Sequence, residues 1–281
     1  MDPLITSPAN PSLKLARRLR ERKVREQSGL FYVEGIRLVA EALAQGWSIE
    51  MLIIAPDRLS SEFAYQKVEA ARARGIRVVE VSPRAFESLS LKENPQGIAA
   101  VIHQRWGSLS AVRPDKGELW IGLEAIQDPG NLGTILRTAE AVGAQGVVLL
   151  EHTTDPYDPA AVRASMGAIF TQQLVRTSRE VFLRWVAEHH PPLIGTSDKA
   201  AQDYHDFIYP EGLMLLMGSE REGLSPVYAS LCQAMVAIPM VGRVDSLNVA
   251  VATAIVLYEI FNQRRRKGKL TSACKGEERI P

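Results

Sequence analysis

The stretch Gln127-Asp128-Pro129-Gly130-Asn131-Leu132-Gly133-Thr134-Ile135-Leu136-Arg137-Thr138-Ala139 carries a fold signal and a chemical one. Just before it, residues 119–123 form a continuous apolar run, which reads as a buried strand ending at Glu124. Asp128-Pro129-Gly130-Asn131 has Pro second and Gly third, the pattern of a type II turn, and leaves Asn131 as a good helix cap. Leu132, Ile135, Leu136, Ala139 and Val142 then fall on one helical face. Gly133 and Arg137, four apart, share another. Arg137 therefore sits on a helix that leaves the carboxyl end of a strand, the edge where open α/β sheets bind ligands. Gly133 leaves room beside it for a bulky anion. Spacing alone leaves a structural ion pair for Arg137 open.

The pattern extends in both directions. Strands are expected at 147–150, 193–196, 213–217 and 235–238, and helices at 132–142, 159–170, 180–189, 226–231 and 247–263. Apolar strands alternating with helices imply a mostly parallel sheet covered on both faces. Upstream, strands at 31–33, 49–55, 76–81 and 97–103 alternate with helices at 36–45, 60–74 and 83–91. That reads as a small α/β domain over residues 1–103. Residues 104–117 lose periodicity and collect Gly, Ser and Pro, so they read as a linker. The larger domain spans 118–263, and 264–281 is a basic, flexible tail.

Two further segments carry chemistry. In Leu215-Leu216-Met217-Gly218-Ser219-Glu220-Arg221-Glu222-Gly223-Leu224-Ser225-Pro226 a strand runs into a glycine-bracketed loop with two acids. No Lys follows the second glycine, so it is not a phosphate loop, and it lacks the dinucleotide fingerprint G-x-G-x-x-G. An oxidoreductase reading loses its support there. In Ile238-Pro239-Met240-Val241-Gly242-Arg243-Val244-Asp245-Ser246-Leu247-Asn248-Val249 a strand end leads through a loop to Ser246 as the expected cap. The helix beyond is apolar on nearly every side, as a core or subunit-interface helix would be.

Composition bounds the rest. The 281 residues suggest about two domains. Lys+Arg 33 against Asp+Glu 32 gives a net charge of +1, which excludes a uniformly basic nucleic-acid binder but not local patches. One such patch is Lys14, Arg17, Arg18, Arg20, Arg22, Lys23 and Arg25, read as a basic helix with an apolar edge. Two cysteines, Cys232 and Cys274, and five histidines that form no H-x-x-x-H or H-x-x-E-H pair offer neither a disulfide framework nor a zinc site, so no metal is expected. No apolar run approaches the ~20 residues of a membrane span, and Met1-Asp2-Pro3 does not begin a signal peptide. The expectation is a cytoplasmic protein.

Together, Asn131-x-Gly133-x-x-x-Arg137-x-Ala139, Gly218-Ser219-Glu220-x-x-Gly223 and Ile238-Pro239-Met240 with Ser246-Leu247-Asn248-Val249 resemble the SpoU (TrmH) family of RNA ribose methyltransferases, within the SPOUT superfamily. A weaker match is Arg163-Ala164-Ser165-Met166-Gly167-Ala168. Residues 10–103 resemble the family's substrate-binding domain, similar to a kink-turn-binding ribosomal protein. The resemblance implies an α/β catalytic domain tied in a deep trefoil knot, S-adenosylmethionine as methyl donor, and a homodimer through the last helix. It implies Asn131, Arg137, Glu220, Ser246 and Asn248 as catalytic residues. Met217, Gly218, Ile238, Met240 and Leu247 would hold the cofactor. RNA would be gripped by Lys14, Arg17, Arg18, Arg22 and Arg25. The expected substrate is a ribose 2′-hydroxyl of structured RNA, ribosomal (23S) before transfer RNA. The alternatives are a tRNA 2′-O-methyltransferase and a non-catalytic RNA-binding or ribosome-assembly protein on the same scaffold.

Overall fold

The computed structural model describes residues 4–268, in two compact units. The first comprises the chain up to Gln104 together with Tyr157–Phe170. Its elements are α1 (Pro11–Arg18), α2 (Arg22–Ser28), β1 (Leu30–Glu34), α3 (Ile36–Ala44), β2 (Ile49–Ile54), α4 (Glu62–Ala73), β3 (Val78–Glu80), α5 (Pro83–Glu87) and β4 (Ile98–His103). The strands form a sheet of order β1-β4-β2-β3, in which β4 is antiparallel to β1 and β2 while β2 and β3 are parallel. Leu13, Leu19, Tyr32, Met51, Ile53, Phe86 and Val101 pack into one core.

The basic run 14–25 is two helices, not one. Arg25 donates from Nη1 to the carbonyls of Leu19 and Arg20 at 2.9 and 2.8 Å, groups exposed by the break after α1. Its Nη2 lies 3.2 Å from Asp158. With 1 % of its surface exposed, Arg25 is a structural cation and not the RNA ligand the sequence suggested.

The second unit contains β5 (Leu119–Glu124), α6 (Pro129–Ala141) and β6 (Gly146–Leu150). The chain then forms α7 (Pro159–Ala164), which belongs to the first unit. The expected 159–170 helix stops early because Met166 and Gly167 take positive φ of 52° and 105°. There follow β7 (Gln173–Thr177), α8 (Arg179–His189), β8 (Leu193–Thr196), β9 (Gln202–Asp203), β10 (Leu213–Met217), α9 (Pro226–Ala229), β11 (Ala234–Ala237) and α10 (Val249–Arg266). All seven strands are parallel, in the order β7-β6-β5-β10-β8-β11-β9. Every position of β5, β6 and β10 is buried, as their continuous apolar runs required.

Residues 105–117 are not a loose connection. Gly107 bridges to Val175, and Leu109 and Val112 are buried. The expected tail also starts inside structure, since α10 runs to Arg266 and the Arg264 guanidinium donates to the carbonyls of Gly117 and Glu211. Residues 269–281, the rest of that tail, lie outside the described residues. α10 packs on α6 and buries Thr253, Val256, Leu257 and Ile260. Its other face leaves Val251 and Tyr258 about half exposed, at 48 and 47 %. Among the described residues no helix is long and apolar enough to cross a membrane.

Candidate active site

The three motif segments meet at the carboxyl edge of the parallel sheet. The cap of α6 is Asp128, not Asn131: its Oδ1 accepts from the Asn131 N–H at 2.7 Å. Asp128-Pro129-Gly130 is thus a cap followed by the first helical turn rather than a type II turn. Asp caps well, and Pro at the first helical position needs no N–H and arrives with a helical φ. The Asn131 side chain is thereby left free for other partners.

Those partners come from the other two motifs. Asn131 Nδ2 donates to Glu220 Oε1 at 3.1 Å, and Asn248 Nδ2 donates to Asn131 Oδ1 at 3.0 Å. Asn248, rather than Ser246, caps α10, with Oδ1 accepting from Ala250 and Val251 N–H at 2.9 and 3.2 Å. Both ends of this chain fix its direction. A carboxylate only accepts, so Asn131 must turn its amide nitrogen to Glu220 and its oxygen to Asn248. Helix N–H groups only donate, so Asn248 must turn its oxygen to α10 and its nitrogen to Asn131. The other Glu220 oxygen faces the Gln127 N–H at 3.4 Å.

Gln127, which the motif reading passed over, also donates from Nε2 to the Ala125 and His152 carbonyls at 3.0 and 3.2 Å, tying the chain just beyond β5 to that beyond β6. Ala125 itself stands at φ 55°. The sequence signal for Asp128 was present, an Asp directly before Pro at a helix start. Nothing in spacing marked Gln127.

Arg137 is exposed, a turn and a half beyond Asn131 on α6, and its guanidinium makes no ion pair or hydrogen bond among the described residues. Glu220 does not pair with Arg137 there; it is held by Asn131 and Gln127 instead. Ser246 is also exposed, at the loop end before Asn248.

The candidate cofactor residues surround two adjoining loops. After β10, Ser219 and Gly223 exchange backbone hydrogen bonds of 3.1 Å. This folds the loop so tightly that a Cβ on Gly218 would lie 1.9 Å from the Gly223 carbonyl carbon. Met217 is buried and its Sδ accepts from Thr196 Oγ1 at 3.4 Å, so its side chain belongs to the sheet, not to the loop surface. After β11, residues 238–247 make no backbone hydrogen bond among the described residues. Met240 and Leu247 expose apolar surface there, 36 % each. Free backbone donors and acceptors beside apolar side chains, next to a glycine hairpin, fit an adenosine moiety. No group of His, Cys, Asp and Glu among the described residues could hold a metal ion.

Comparison with known proteins agrees with this arrangement. Residues 118–258 match the model of the SpoU rRNA Methylase family, and residues 10–100 match an MRM3-like substrate binding domain. A 23S rRNA (uridine(2479)-2′-O)-methyltransferase of Streptomyces viridochromogenes is 32 % identical over 253 residues, covering 88 % of this chain and 87 % of that protein. RlmP of Bacillus subtilis, a 23S rRNA (guanosine(2553)-2′-O)-methyltransferase, is 31 % identical, covering 91 and 98 %. The crystal structure of an AdoMet-bound rRNA methyltransferase from Sinorhizobium meliloti superposes with a TM-score of 0.84 at 37 % identity, covering 94 % of this chain and 98 % of that one. With its motif residues joined at one sheet edge and half its length matched by the family model, this chain belongs to the SpoU rRNA methylase family.

Proposed function

We infer that this chain transfers a methyl group from S-adenosylmethionine to a ribose 2′-hydroxyl of 23S ribosomal RNA. The observation that carries the reading is the Asn248–Asn131–Glu220 hydrogen-bond chain, which joins all three motifs. A non-catalytic binder has no use for that convergence. The named activities of the Streptomyces and Bacillus relatives favour ribosomal over transfer RNA.

Bound S-adenosylmethionine supplies an electrophilic methyl group on a sulfonium. The chain's own residues must align the acceptor ribose and help its hydroxyl lose a proton. Backbone groups at Gly218, Ile238 and Leu247 and the side chains of Met240 and Leu247 hold the adenosine. Arg137, permanently cationic and with no side-chain partner among the described residues, grips the phosphate beside the target ribose and stabilises the developing alkoxide. It is no base, because guanidinium does not deprotonate in proteins. Asn131, Glu220 and Asn248 hold the pocket wall from which the ribose is oriented, and Ser246 lies at its loop side. Alignment of this kind contributes several kcal/mol of a barrier, about 7–11 in favourable cases.

The exposed apolar residues Val251 and Tyr258 of α10, and Val244 and Leu247 in the loop before it, support a homodimer through that helix. The insertion of β10 between β5 and β8, followed by the return of α10 onto α6, is compatible with a trefoil knot. An rRNA substrate favours the cytoplasm. On the N-terminal face Lys14 and Arg18 are exposed, whereas Arg17 is held by Pro8 O and Ser88 Oγ and Arg22 by Glu26.

The test is methyl transfer from labelled S-adenosylmethionine to large-subunit RNA lacking modification, comparing wild type with Arg137→Ala. Alkali-stable labelled dinucleotides with wild type alone, and cofactor binding unchanged in the variant, are expected. Equal loss of cofactor binding and transfer would remove Arg137 from the catalytic role. Absence of label with wild type on every RNA would overturn the enzymatic reading.

A further inference from the structure

A cavity of about 130 Å³ opens in the first unit between β1, the start of α3, the 91–96 segment and α7. Val33, Leu38, Val162 and Met166 form its apolar wall, and Arg37, Lys92 and Arg163 surround it with charge. All three cations are exposed, and none of their charged groups has a hydrogen bond or carboxylate partner among the described residues. The lining carboxylate, Glu34, is buried and accepts from Ser90 Oγ at 2.6 Å and Leu91 N–H at 2.9 Å.

Further unused donors point the same way. A Cβ on Gly35 would lie 2.9 Å from Lys92 Nζ, so the ammonium rests directly over the backbone that begins α3. Gly35 has φ 111°, which side chains rarely adopt. The Ile36 N–H is taken by Gln96 Oε1 at 3.2 Å, and the first-turn N–H groups of Arg37 and Leu38 find no acceptor among the described residues. Tyr32 also lines the cavity, is 3 % exposed, and its hydroxyl has no hydrogen-bond partner among the described residues. Burial, reinforced by the charge of Glu34 and opposed by that of Arg20, raises the phenol well above its usual pKa. It therefore remains a proton donor. A buried hydroxyl without a partner is costly unless a ligand completes it.

We propose that this cavity is a nucleotide subsite for the RNA substrate, holding one phosphodiester against Arg37, Lys92, Arg163 and the α3 N-terminus with the attached sugar or base on the apolar wall. Cations and orphan N–H groups at a helix start suit phosphate, while the apolar side excludes a bare, fully hydrated anion as the whole occupant. The subsite rests on the RNA-modifying reading of the chain and shifts recognition away from α1 and α2. Several cations on those helices are engaged internally; these three are not. Arg163 lies in the Arg163–Ala168 motif, to which the active-site geometry assigned no part.

The test uses the full chain and protein-free large-subunit RNA, measuring affinity against salt and steady-state methyl transfer. Arg37→Ala/Lys92→Ala/Arg163→Ala, all surface truncations, is expected to weaken binding at least tenfold and to reduce the slope of log affinity on log salt by about 0.7–0.9, the loss of one phosphate contact. KM rises while kcat is kept. Tyr32→Phe, which removes a neutral donor, lowers affinity several-fold without changing the slope. Adenosine monophosphate at millimolar concentration competes with RNA on the wild type but not on the triple variant, and inorganic phosphate, which cannot use the apolar wall, competes less well. Wild-type slope and affinity in the triple variant, or a slope that falls instead with Lys14→Ala/Arg18→Ala, would overturn the subsite. Wild-type RNA binding that depends on the cavity without any methyl transfer would refute the enzymatic reading and leave the subsite standing.

Discussion

Replacing Asn248 by alanine and, separately, by aspartate divides its helix-capping role from its part in the active site. In the native chain its Oδ1 caps two N–H groups of α10 while its Nδ2 donates to Asn131 at 3.0 Å. Alanine removes both. Loss of the cap costs about 1 kcal/mol and loss of the partly exposed amide hydrogen bond about 0.5–1, together about 1.5–2 kcal/mol. Aspartate keeps the cap, and its charge at the start of an 18-residue helix adds about 0.5 kcal/mol of stabilisation. It has no donor, however, and would set a carboxylate oxygen 3.0 Å from the Asn131 oxygen. Asn131 must then turn its amide over, aiming oxygen at Glu220 and breaking the chain to that carboxylate. Asn248→Ala is therefore expected to lose both stability and activity. Asn248→Asp should unfold in urea at or slightly above the wild-type midpoint yet transfer methyl at least tenfold more slowly, a barrier increase of about 1.4 kcal/mol. Urea titrations by circular dichroism and steady-state methyl transfer read the two effects. The reasoning fails if Asn248→Asp retains full activity, or if it is destabilised as much as Asn248→Ala.

Other outcomes follow from single sites. Gly218→Ala forces a Cβ to 1.9 Å from the Gly223 carbonyl carbon. The loop must open, and cofactor affinity by calorimetry should fall at least tenfold; unchanged affinity would show that the loop is not part of the pocket. Arg25→Ala leaves the Leu19 and Arg20 carbonyls and Asp158 without their cation and should destabilise the first unit by about 2–4 kcal/mol. The salt slope of RNA binding should not change; a reduced slope would restore Arg25 as an RNA ligand. Burial pushes the Cys232 thiol up to about 12. Its contribution to stability is fully present below the unfolded thiol value near 8.5 and lost as pH rises towards 12. At pH 8, disulfide reagents should modify Cys232 far more slowly in the native chain than in urea, and equal rates would contradict its burial.

Much of the fold was legible because its signals are local. β5, β6 and β10 are runs of apolar residues with no polar face, and only a strand covered on both sides tolerates them. β7, which carries Arg176 in a sheet-edge position, and the two-residue β9 escaped notice because neither has enough periodicity to separate it from loop. Caps were misassigned by two or three residues at α6 and α10. Asp128, Asn131, Ser246 and Asn248 are all good capping types, and the choice between them follows from where each helix must start to pack. The basic run at 14–25 showed the reverse error: seven cations in sequence looked equivalent, yet Arg25 points inward to bind carbonyls while Lys14 and Arg18 face out.

The sequence by itself determined the class of fold, the family and the residue types of the site, because strand and helix periods and motif spacings are properties of neighbouring residues. Only the tertiary structure decided which of those residues meet. Asn131, Glu220 and Asn248 are separated by 89 and 28 positions, and no local pattern specifies that β10 enters the sheet between β5 and β8 or that α10 returns to α6. The same holds for Arg163, more than sixty positions from Lys92 and more than one hundred from Arg37, around one cavity. Such meetings depend on burial of apolar faces over long loops, an energy summed over the whole unit rather than written at any one position.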